Sequence, residues 1–280
     1  MIATENPRNF LILFFVAFCR KIYYNLYMLF DLPHVLYIVI SSVITIGLLI
    51  LFGFTIKKES QKEFILKLFA LLTVILHFSS VYVSFFQTGQ AKVDATMLFP
   101  IYPCNVAMWL LVIVAFWKNK QSKGFMIIAE FVFYLGIVGS IIGIVFNENY
   151  AGNPNLANWD ILKGLLSHST MMVGCIYLLT GRFIKIRVKN IISVFLGLLF
   201  LLIDGGIIIG LYKLANMTPP NCMYLLETPF ENMPWINVGT IGLAGLLIVF
   251  ITSAIVEAIC VPKEQRWYNN LRNLRRKKDE

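Results

Sequence analysis

Phe99-Pro100-Ile101-Tyr102-Pro103-Cys104-Asn105 sets two prolines, a thiol and an amide inside a run of residues that is otherwise apolar. Proline has no N–H to donate and its ring clashes with the preceding turn, so a helix can start at Pro103 but can hardly run through it. Cys104 then stands at a helix N-terminus, where unpaired N–H groups and the positive end of the helix dipole favour an anion. Irregular backbone at membrane depth persists only where protein buries it or where it lines a wet cavity. The stretch therefore predicts a helix opening onto a polar cavity with Cys104 in its wall. A plain proline kink beside a small apolar cysteine is written in the same letters.

Outward from this stretch, the composition sets the class. The 280 residues are 58% hydrophobic and only 14% charged, with a mean hydropathy of +0.75, whereas charged residues make up about a quarter of a soluble domain. Crossing the hydrocarbon takes about 20 apolar residues. Seven stretches satisfy this, at 35–56, 65–86, 98–117, 125–146, 161–181, 191–213 and 236–260. The expected fold is all-α, a polytopic seven-transmembrane-helix bundle over 35–260. An N-terminal interfacial segment, 1–34, precedes it, with Leu11, Phe14, Phe15, Phe18 and Ile22 on one helical face. A basic tail, 261–280, follows it.

Basic residues orient the bundle, because cytoplasmic loops collect Lys and Arg. Lys57, Lys58, Lys62 and Lys67 flank the first hairpin, Lys118, Lys120 and Lys123 the second, and Arg182, Lys185, Arg187 and Lys189 the third. With the cations after Pro262, these lie on one side of a seven-span chain, which puts the N-terminus outside and the C-terminus in the cytoplasm. Arg8, Arg20 and Lys21 run against that rule. The net charge of +9 thus reads as topology and contact with anionic membrane lipids, not as nucleic-acid binding. The expected location is the cell membrane.

Polar residues inside hydrocarbon need partners and mark function by default. His77 lies in the second span, His168 in the fifth, and Asp204 beside Gly205 and Gly206 in the sixth. Counted from the outer span ends, these three and Cys104 all fall roughly 9–14 Å deep at about 1.5 Å per residue. One shared cavity requires such a common level. Glu130 near the start of the fourth span has Lys123 in reach or can snorkel, and Glu257 near the end of the seventh has the tail cations. In the fourth span Gly136, Gly139, Ser140 and Gly143 form a small-residue face that admits close helix contact. The loop from Met217 to Trp235 is too long and apolar for a simple turn and suits a lid or re-entrant segment.

Cysteine and histidine at one depth point to nucleophilic catalysis, with imidazole taking the thiol proton and a third polar group orienting the imidazole. The favoured pair is Cys104 with His168, and Asp204 or His77 is the orienter. His77, Cys104, His168 and Asp204 are zinc-ligand types, but their spacing lacks the short paired repeats of structural zinc sites. No metal or cofactor is expected. There is no Walker sequence, no Rossmann glycine signature and no His-Glu-x-x-His.

Pro100 to Asn105, His168 within Leu165-Leu166-Ser167-His168-Ser169, and Asp204 ahead of Asn221-Cys222-Met223-Tyr224-Leu225 resemble the YwaF-like integral membrane family. That family includes a vertebrate cysteine-dependent phospholipid acyltransferase. The resemblance, over about residues 95 to 230, implies that Cys104 accepts an acyl chain as a thioester and passes it to a lysophospholipid, with His168 as general base. Asn221 would belong to the tail of the signature. Where bacterial relatives carry a histidine ahead of the cysteine and the vertebrate member one after it, this chain has Tyr102 and Asn105. The expected function is a phospholipid acyltransferase or lipid hydrolase with an outer-leaflet-facing cavity. The alternative is a proton- or cation-coupled transporter or solute-binding protein using Asp204 and the intramembrane histidines.

Overall fold

Several of the apolar runs begin where a polar side chain accepts one of the first N–H groups of a helix. In the computed structural model, which describes residues 30–91, 99–228, 235 and 237–269, helix α1 is Leu32–Thr55. It starts at Asp31, whose carboxylate accepts the His34 N–H at 3.0 Å. Helix α2, Glu59–Thr88, ends on Gly89 in the left-handed conformation (φ 71°) that glycine adopts without steric cost. Helix α3 is Pro103–Phe116, and α4 is Lys123–Val145, capped by Ser122. A single turn, α5 (Glu148–Gly152), precedes α6, Trp159–Thr180. Helix α7 is Ile191–Leu214, and α8, Val238–Cys260, begins with a reciprocal capping box of Asn237 and Thr240.

Among the described residues, six of these helices are long and apolar enough to cross a membrane. The seventh apolar helix, α3, has 14 residues, roughly 21 Å at about 1.5 Å per residue, against about 30 Å of hydrocarbon. The run at 98–117, expected to be a full span, is thus a short helix entered through non-helical residues Phe99–Tyr102. The prolines are the reason: neither can donate into a continuing ladder. At its other end Lys120 closes α3, its ammonium donating to the carbonyls of Val114, Ala115 and Trp117 at 2.7–2.9 Å. Burial there lowers the Lys120 pKa.

Helix α6 is the hub, packing on α2, α4 and α1, while α3 lies between α2 and α4, and α7 joins α4 to α8. Its polar residues explain the arrangement. Thr170 meets Thr73 at 3.1 Å, Ser167 donates to the Thr73 carbonyl at 3.2 Å, and Ser169 meets the Tyr37 hydroxyl at 2.9 Å. In lipid such interhelical bonds replace the hydrophobic drive that water supplies to soluble bundles. The outer faces remain apolar and uncovered, as Val39, Ile40, Val43 and Ile44 on α1 illustrate.

Both acidic residues of the helix ends find partners other than those expected. Glu130 is buried and accepts from Ser193 Oγ at 3.2 Å and Asn190 Nδ2 at 2.5 Å, not from Lys123. Glu257 is buried and accepts the Val188 N–H at 2.7 Å and the Trp267 N–H at 2.8 Å, with Arg187 Nη1 at 3.8 Å. In each case the loop before α7 folds over the carboxylate. Burial then makes these nearer donors worth more than an exposed lysine, whose surface pairing contributes little.

At the opposite end a second clip fixes α1. The Tyr150 hydroxyl donates to the Asp31 carboxylate at 2.6 and 2.8 Å, His34 stacks on the Tyr150 ring at 4.5 Å, and His34 Nε2 bonds the Ile144 carbonyl at 2.7 Å. Removing the hydroxyl with Tyr150→Phe deletes a hydrogen bond to a charged acceptor. The expected loss is about 1.5–3 kcal/mol, measurable as a lower denaturant midpoint in detergent, with unchanged helicity. The interfacial segment expected before Phe30, and the tail beyond Asn269, lie outside the described residues.

Candidate functional site

Pro103 occupies the first position of α3, so Cys104 comes second and Asn105 third, in the turn whose N–H groups have no preceding helix to donate to. Tyr102 precedes them in extended conformation and supplies no side-chain cap. Protein covers this irregular entry. Ile101 is fully buried, and its carbonyl accepts the Met223 N–H at 3.0 Å. Met223 and Tyr224 both adopt left-handed backbone, φ 51° and 57°, which side chains larger than glycine resist. Asn221 holds the loop in that shape, its Oδ1 accepting the Leu226 and Glu227 N–H groups at 3.1 Å and its Nδ2 donating to the Glu227 carbonyl at 3.0 Å. The segment after α7 thus folds back over the start of α3, with the Tyr224 ring beside that of Tyr102.

The glycine face of α4 decides what lies next to Cys104. A Cβ at Gly139 would touch the Cys104 backbone and Cβ at 3.5–3.6 Å. One turn on, a Cβ at Gly143 would overlap the His168 ring, and one turn back, a Cβ at Gly136 would overlap Cys175 Sγ. Three positions on one helix therefore seat, in order, the Cys175 thiol of α6, the backbone and Cβ of Cys104 on α3 and the His168 imidazole of α6. The physical reason is absence of bulk: only where α4 has no side chains can α3 and α6 approach it this closely.

Between them lies a cavity of about 50 Å³, lined by His77, Cys104, Asn105, Lys163, Ser167 and His168, with Met108 and Met171 as its apolar wall. This has room for a few water molecules and none for an acyl chain. Cys104 is half-buried, and its Sγ donates to Asn105 Oδ1 at 3.4 Å. His168 Nδ1 is buried without a hydrogen-bond partner among the described residues. Lys163 reaches in from the first turns of α6, donating to the His77 carbonyl at 3.3 Å. Such a set supplies a nucleophile, a base and a cation at one small polar space, the elements of acyl transfer.

The geometry separates the residues singled out from sequence. His77, Cys104, Asn105 and His168 border the cavity. Asp204, Tyr102 and Asn221 do not; Asp204 sits on α7 next to Gly205, against which Met223 and Leu225 pack, with Oδ2 unpaired among the described residues. Lys163 and Ser167 were missed as site residues. Their signal was present, since Lys163 and Ser167, like Gly164 and His168, are four residues apart and share a helical face, and a lysine within an apolar span marks function. Among the described residues no three His, Cys, Asp or Glu side chains gather closely enough to hold a metal ion.

Apolar helices around a buried polar pocket define a multi-pass membrane protein. The sequence model of the TMEM164 family, an integral membrane family, matches residues 29–255, and the chain belongs to that family. No curated protein and no solved structure matches the chain.

Proposed function

We propose that this protein is a phospholipid acyltransferase of the cell membrane that works through an acyl-thioester on Cys104. The observation that carries the reading is that Cys104 and His168, brought from separate helices by the bare face of α4, border one small polar cavity. In this scheme His168 accepts the thiol proton and the sulfur attacks the ester carbonyl of a phospholipid. The carbon–oxygen bond breaks, and the lysophospholipid alcohol leaves with that proton. A second lysophospholipid hydroxyl, deprotonated by His168, then takes the acyl group from sulfur; water in its place gives hydrolysis. Lys163 and the Asn105 amide are suited to stabilise the charge that develops on the carbonyl oxygen. The cavity admits the reacting ester alone, so the acyl chains lie outside in the bilayer, and the lipid enters sideways from the outer leaflet. His77 serves as orienter in place of Asp204.

The test is capture of the intermediate. Full-length protein incubated with a labelled phospholipid and analysed by peptide mass spectrometry is expected to carry the acyl mass on the Cys104 peptide. His168→Ala should reduce its formation rate by roughly 10²–10⁴-fold. An unmodified peptide from protein that turns over the lipid rejects the mechanism. Solute uptake that persists in Cys104→Ser and fails in Asp204→Asn would instead favour a transporter.

A further inference from the structure

At the basic end of the bundle, remote from Cys104, a second cavity of about 210 Å³ is lined by Arg187, Lys189, Glu257, Gln265 and Trp267. We propose that it binds the phosphate of an anionic phospholipid headgroup. Glu257 offsets one of the two cations, Arg187 and Lys189, so a positive charge remains, and its oxygens are already engaged, Oε2 by the Val188 N–H and Oε1 by the Trp267 N–H. Arg187 is shared with that carboxylate at 3.8 Å and its side chain remains partly exposed. Lys189 is exposed and forms no hydrogen bond or ion pair with the described residues. An exposed ammonium, which also acts electrostatically on Glu130, a guanidinium and an indole around one space provide the charge and hydrogen-bond donors that phosphate requires.

Size and surroundings select a lipid over a soluble phosphate. The space is smaller than the roughly 300–1,000 Å³ of pockets that enclose a drug-sized ligand, so it accommodates a headgroup and leaves chains outside. Apolar surface for those chains is adjacent, since Ile192 at the start of α7 and Ile255 and Ile259 at the end of α8 are exposed. Basic pockets between helices at this membrane face are where anionic headgroups bind.

Native mass spectrometry of the full-length protein in neutral detergent tests this, with short-chain phosphatidylglycerol, short-chain phosphatidylcholine and inorganic phosphate as probes. One phosphatidylglycerol is expected to bind saturably, in preference to phosphatidylcholine, and roughly tenfold or more weaker in Lys189→Glu, which keeps the Arg187–Glu257 pair. Lys277→Gln/Lys278→Gln in the tail should leave it unchanged. Phosphate binding that is lost in Lys189→Glu, without lipid binding, would support the phosphate site and overturn its assignment to a lipid. Equal phosphatidylglycerol affinity in wild type and Lys189→Glu, or no preference over phosphatidylcholine, overturns the proposal.

Discussion

Gly143→Ala is expected to slow the proposed acylation of Cys104 on the order of 10²-fold, while Gly139→Ala largely preserves it. Both substitutions add one methyl to the same face of α4 and both replace glycine by a better helix former. They differ only in what the methyl meets. At Gly139 it comes into ordinary contact with Cys104, at 3.5–3.6 Å; at Gly143 it overlaps the His168 imidazole. The ring must move, and displacement of a reacting group by about 1 Å costs on the order of 10²-fold in rate. Single-turnover adduct formation measures this, alongside the denaturant midpoint, since overpacking also costs about 1–3 kcal/mol. Combining Gly143→Ala with His168→Ala separates the two contributions. If the methyl acts through the imidazole, the double variant is no slower than His168→Ala alone. Adduct formation at the wild-type rate in Gly143→Ala would contradict the role given to His168.

Glu257→Ala should be the most damaging substitution away from the cavity. It removes a buried acceptor from two backbone N–H groups and a guanidinium at once. Leaving such groups unsatisfied costs about 1–3 kcal/mol each and breaking a buried charge pair about 3–5, and these overlap because the partners relax together. A net loss near 3–5 kcal/mol is expected, with release of the loop before α7 and the segment around Trp267, followed as faster proteolysis at the basic end. Glu257→Gln keeps one acceptor oxygen and should lose about half as much. Equal stability of Glu257→Ala and wild type would show that the carboxylate does not hold this end together.

Much of the fold was legible because crossing hydrocarbon leaves few solutions. Long apolar runs broken by lysine-rich or asparagine-rich loops read as helices, and most helices fall within a few residues of the runs, though α2 starts at Glu59, six residues ahead of the run expected at 65–86. Pro103 announced its own helix start, since its missing N–H is harmless only there. The length of α3 was hidden. Phe99 to Tyr102 are as apolar as a helix turn, and hydropathy does not distinguish helical from extended backbone. The partners of Glu130 and Glu257 were hidden for another reason: nearest cations in sequence are visible, but backbone N–H groups of a distant loop are not. Lys163 was legible in principle and overlooked, because a lysine near a span end reads first as an interfacial residue.

By itself the sequence determined that this is an all-helical membrane protein and that a helix begins at Pro103. Hydrophobic run length and proline stereochemistry are local, so the letters carry them. Which polar residues share a cavity was decided by the tertiary structure alone. Equal depth along separate helices leaves their rotation and neighbours open. Those follow from the glycine face of α4, which lets Cys104 and His168 approach, and from the packing of α7, which leaves Asp204 against the folded-back loop instead.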